Sequence, residues 1–175
     1  MSIVDRYQLW LEQEKDSNQK MLAMLAGAPK VARGDARFTQ AVDLAAHLCA
    51  CRENWLDRMT NAGQCQVDWW PKNFPLAELP ARFQEWESRW TAYLANLTDE
   101  KLVSDFEYPY NTGTFRLGIE TQVMQMVGHA FYHRGQIALL INQLGGETVD
   151  TDFLYWAFGR EPGRWGFFAT EPSAG

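Results

Sequence analysis

The sequence predicts an all-α protein, a bundle of four long helices, and three observations carry that prediction. Apolar residues recur at three- and four-residue spacing in four long segments, as in helices that bury one face. Clusters of Gly, Pro and Asn separate those segments. The chain of 175 residues is 46% hydrophobic and 14% aromatic, enough apolar surface for one domain around one core.

The first helix is expected over residues 3–26, where Ile3, Tyr7, Trp10, Leu11, Met21, Leu22 and Leu25 form the stripe and Gly27 and Pro29 stop it. The second is expected over 39–62, capped by Thr39 and carrying Val42, Leu44, Ala45, Leu48, Cys49, Trp55, Leu56 and Met59 before Asn61, Ala62 and Gly63. From Val67 to Pro75 two prolines and three aromatics mark a connection whose rings cap one end of the core. The third helix is expected over 76–97, with Leu79, Phe83, Trp86, Trp90, Tyr93, Leu94 and Leu97 inward and Glu78, Arg82, Glu85, Glu87 and Arg89 toward water.

Phe106, Tyr108 and Tyr110 alternate with other residues and lead into Asn111, Thr112 and Gly113, which predicts a short hairpin or irregular segment before the fourth helix. That helix has the clearest pattern. Ile119, Val123, Met126, Val127, Ala130, His133, Ile137, Leu140, Ile141 and Leu144 keep helical spacing over 119–144 until Gly145 and Gly146. In the tail, 150–175, Phe153 to Phe158 reads as a short helix or turn and the Gly- and Pro-rich remainder as extended. Connections of this length do not force sequential helices to lie side by side, so the bundle's topology stays open.

Composition narrows the function. The net charge of −6 comes with scattered basic residues, which leaves no electrostatic footprint for nucleic acid. No apolar run is long enough for a membrane span, and residues 1–15 lack the features of a secretory leader. The odd set Cys49, Cys51 and Cys65 reads as reduced thiols, and the expected compartment is cytoplasmic.

The chain has three histidines, and all of them fall in the second and fourth helices. His129 and His133, four residues apart, project from one helix face, and His47 on a facing helix would complete a three-nitrogen cap on a divalent cation with positions left for water or substrate. Spacing alone equally allows two helix-surface histidines and a hydrogen-bonded, partly buried His47, because the metalloprotease glutamate is missing.

The string His129, Ala130, Phe131, Tyr132, His133, Arg134, Gly135, Gln136, together with His47 in Ala45, Ala46, His47, Leu48, resembles the signature of the DinB/YfiT-like family of four-helix-bundle metalloenzymes, and the resemblance covers nearly the whole chain. It implies a bundle of that type, one divalent metal ion (nickel, zinc or iron) on His47, His129 and His133, and a homodimer. It further implies a thiol-dependent transferase acting on a small electrophile with a low-molecular-weight thiol; the alternative is a non-catalytic, metal-binding stress-response scaffold. Neutral imidazole ligands leave the ion its full charge for lowering the pKa of a bound water or thiol.

Metal-bound imidazoles also need partners for their second nitrogens. Asp43, one turn before His47, is a candidate, although its place early in the helix also suits a solvent-facing acid. Cys51, one turn after His47, reads either as a fourth ligand or redox-sensitive neighbour or as a small core residue. Arg134 is expected to hold a carboxylate from another helix or subunit, Gly135 to permit close helix approach, and Gln136 to lie next to the site. Tyr132 and Glu120 are candidate general acids or bases that spacing does not compel.

Overall fold

The computed structural model describes residues 1–60, 67–161 and 164. It contains α1 (Ile3–Gly27), α2 (Ala36–Thr60), α3 (Leu79–Ala95), a single-turn α4 (Asp99–Leu102), a hairpin of β1 (Asp105–Tyr110) and β2 (Gly113–Gly118), α5 (Ile119–Gln143) and α6 (Phe153–Arg160). Short 3-10 turns at Lys30–Gly34 and Leu76–Glu78 lead into α2 and α3. The four long helices close a ring in which α1 packs on α3 and α5, and α2 packs on the same two. Sequential α1 and α2 therefore lie across the bundle from each other.

Capping chemistry sets the boundaries. At the start of α1 the Ser2 hydroxyl accepts from the Asp5 N–H and the Asp5 carboxylate from the Ser2 N–H, satisfying two of the donors a helix start leaves open. The second helix begins three residues before the expected Thr39 because the Asp35 carboxylate accepts the Arg37 N–H and caps it there. Its expected end at residues 61 and 62, the Gly63 stop and Cys65 lie outside the described residues. The third helix starts at Leu79 rather than 76, with Pro80 in the first turn, where a missing N–H costs nothing. Asn111 at φ 50° turns the antiparallel hairpin, and Phe106 and Tyr108 bury one face of β1. Gly159 and Arg160, expected in an extended tail, complete α6, whose Asp152 carboxylate accepts the Leu154 N–H; the tail from 165 lies outside the described residues.

The core is aromatic at α3, where Phe83, Trp86 and Trp90 are each no more than 2% exposed. It also holds a layer of charge. Positions 11, 14, 18, 21 and 25 of α1 keep one face, yet between the buried Leu11 and Met21 they carry Glu14 and Asn18, both buried. Arg52 of α2 donates Nε to Glu14 Oε1 at 3.1 Å and Nη2 to Glu14 Oε2 at 2.5 Å and to the Met126 carbonyl at 3.0 Å, while its guanidinium lies over the rings of Trp86 and Trp90. Asn18 donates to Glu87 at 3.0 Å. Glu87 therefore does not face water as expected: it is half-buried, and burial, ahead of its neighbours' charges, raises its pKa. Arg82 also turns from water, forking onto Glu53 at 2.8 and 2.6 Å.

Replacing Glu14 by Ala strands the buried Arg52 charge, and the expected loss is about 3–5 kcal/mol of stability, read as a lowered urea midpoint. A Glu14→Leu, Arg52→Met double variant is expected to recover most of that loss.

Candidate functional site

His47 lies in the middle of α2, which is buried through residues 45–54 and makes its most extensive helix contact with α5. That packing brings His47, 3% exposed, against His133, 5% exposed, and the half-buried His129. His129 Nε2 lies 3.3 Å from His47 Nε2 and 3.1 Å from His133 Nε2. Two nitrogens bound to one ion at about 2.0–2.1 Å are about 2.9 Å apart at a right angle and about 3.4 Å apart at the tetrahedral angle. Both observed separations fall in that interval.

The outer nitrogens fix the protons. His47 Nδ1 is 2.5 Å from the Trp69 carbonyl oxygen, which only accepts, so Nδ1 carries the hydrogen and Nε2 a bare lone pair. His133 Nδ1 donates to Gln136 Oε1 at 2.7 Å, which bares its Nε2 in the same way. Two lone pairs therefore aim at His129 Nε2, and one proton there can satisfy only one of them. Burial, ahead of the charges of His133 and His47, pushes His129 down to about 3, and burial likewise lowers His47 and His133. Three neutral imidazoles converging with at most one proton between them form a donor set that fits a divalent cation.

Cys51 stands beside them. The ligand atoms of His47, Cys51 and His129 all lie within 4.8 Å of one another, so this cluster could hold a metal ion. The sulfur is 3.5 Å from His47 Nε2 and 3.7 Å from Nδ1. Near-equal distances place it over the ring face rather than along the Nε2 lone pair, and burial pushes its thiol up to about 12. In this rotamer the sulfur packs on the ligand ring, and His133 Nε2 is the better-aimed third donor. Trp70 also covers the ring, stacked at 3.6 Å and 7° with its own indole half exposed.

The remaining candidates are placed as follows. Asp43 does not bond to His47; its Oδ1 accepts the Phe74 N–H at 2.9 Å. Among the described residues Arg134 holds no carboxylate from another helix by hydrogen bond. It is buried, donates to Asn18 at 3.3 Å and lies over the Phe131 ring, and burial lowers it to about 10. Gly135 is exposed with open space where a Cβ would sit, so it serves no close helix approach. Glu120 accepts from the Tyr7 hydroxyl at 2.9 Å, and Tyr132 is exposed with its ring edge on His133. Sequence reasoning missed the Trp69 carbonyl and the Trp70 stack, since a loop carbonyl has no side-chain signature; the three aromatics and two prolines of residues 67–75 were the available hint.

A family model described as the DinB family matches residues 1–164. Comparison with curated proteins and with solved structures finds no match. No helix among the described residues is long and apolar enough to cross a membrane.

The depressed histidines set the acid response of the metal-free protein. In the unfolded chain each titrates near about 6.5, so between that value and the lower folded ones the unfolded state binds protons that the folded state does not. Stability is therefore expected to fall as pH drops below about 6.5 toward the folded value of about 3 for His129. Urea midpoints at about pH 7 and about pH 5 check this, and His129→Gln is expected to make the decline shallower.

Proposed function

We propose that this chain, which belongs to the DinB family, binds one divalent metal ion through His47, His129 and His133 and uses it to transfer a low-molecular-weight thiol to a small electrophile. The observation that carries this reading is the convergence of three Nε2 atoms whose outer nitrogens already have partners. A bound divalent ion supplies Lewis acidity and a lowered pKa for a thiol or water on it.

The chain's own residues supply the rest. The Trp69 carbonyl and Gln136 hold two rings in the tautomer a cation requires. Arg52, whose charge acts on His129, is paired with Glu14, which offsets part of its repulsion toward an incoming cation. Trp70, one face on His47 and half exposed, offers an apolar wall for a substrate at the mouth of the site. Exposed apolar side chains on α5, including Met124, Tyr132 and Leu139, support the accompanying proposal that two copies of the chain pair.

Metal analysis of the purified protein is expected to find an ion that His129→Ala loses, with Gln136→Leu weakening metal affinity by about 10–100-fold. Undiminished metal in His129→Ala rejects the site. Conjugation of glutathione to model electrophiles, measured with and without metal, tests the chemistry. Binding without turnover for any small thiol would leave the metal-stabilised scaffold as the function.

A further inference from the structure

Three residues of α2 hold one loop. Asn54 donates Nδ2 to the Val67 carbonyl at 3.0 Å, His47 donates Nδ1 to the Trp69 carbonyl at 2.5 Å, and Asp43 accepts the Phe74 N–H at 2.9 Å. The loop is thus clamped along the helix at both ends, with the histidine contact between the clamps. Its side chains are held as well: Trp69 packs edge-on against Trp55 and beneath the Arg58 guanidinium, and Phe74 lies under the guanidinium of Arg82.

Resting on the metal-binding reading above, we propose that Asp43 is a positioning residue for the metal centre, acting on His47 through the backbone of residues 67–74 and not by contact with the ring. The Trp69 carbonyl keeps the proton on Nδ1 only while it stays at hydrogen-bond distance, and the contacts of the Trp69 indole with Trp55 and Arg58 hold the side chain without bonding that oxygen. The oxygen's position follows from the two clamps. With Phe74 released, the segment that carries Trp69 and Trp70 loses one of its two backbone clamps and is left to Asn54 and ring packing, the carbonyl withdraws, and His47 regains access to the tautomer whose Nε2 proton faces His129. A hydrogen there blocks the lone pair that a cation needs. The active element of Asp43 is an acceptor oxygen, so its charge is dispensable: asparagine presents the same Oδ1, and leucine or alanine does not.

The test is the imidazole tautomer of His47 in the metal-free protein, read by long-range proton–nitrogen NMR, alongside metal affinity. Wild type and Asp43→Asn are expected to show a single Nδ1–H tautomer. Asp43→Leu is expected to show a mixture, faster exchange of the Phe74 amide, and metal affinity lower by about tenfold, within the range that outer-shell substitutions produce. Asp43→Ala is the smaller change if leucine disturbs the fold. Wild-type tautomer and affinity in both apolar variants would overturn the proposal, as would an Asp43→Asn protein as impaired as Asp43→Leu, which would assign the effect to charge. Because the tautomer is read without metal, a protein that takes up no ion still decides the role of Asp43, and that failure counts against the metal reading alone.

Discussion

The close packing of α2 against α5 is the constraint on which the rest of the molecule depends. There the two helices approach until imidazoles from both meet nitrogen to nitrogen. The same helix carries Arg52 into the ion layer and Asp43 and Asn54 to the loop, so the contact that assembles the histidines also aligns their supports.

Two polar layers follow each other along this bundle and differ in kind. In one, Glu14 and Arg52 satisfy each other with forked hydrogen bonds, two tryptophan faces and a carbonyl, and desolvation is met by partners inside the chain. In the other, neutral rings gather lone pairs that a single proton at His129 Nε2 cannot satisfy together. The first is closed and organises the core. The second is open by construction, and the half-buried His129 gives it a route to solvent.

Much of this was legible in the sequence, for reasons that can be named. Strongly periodic apolar stripes placed α1, α3 and α5 to within a few residues, and the turn at Asn111 with its alternating aromatics marked the hairpin. Helical spacing put His129 and His133 on one face, and the family resemblance added His47 to them. What stayed hidden lay off the apolar pattern. Glu14 and Asn18 continue the α1 stripe at unbroken spacing, but a count of apolar residues sees a gap between Leu11 and Met21. Glu87 and Arg82 look like surface charges until their partners Asn18 and Glu53 are seen to be buried. Asp43 was noticed for its distance from His47 along the helix, whereas its partner is a loop amide 31 residues away, a relation that no periodicity encodes.

The three imidazoles are mounted unequally. His129 and His133 share one continuous helix, with His133 braced by Gln136 from the next turn, so the gap between their nitrogens is a rigid bite set by helix geometry. His47 takes its orientation from a loop that side chains tie down at two points. Two of the nitrogens thus keep a spacing written into a single helix, while the aim of the third is set by a segment outside the bundle, so a change of sequence in that connection can reach the centre without touching any of the three rings.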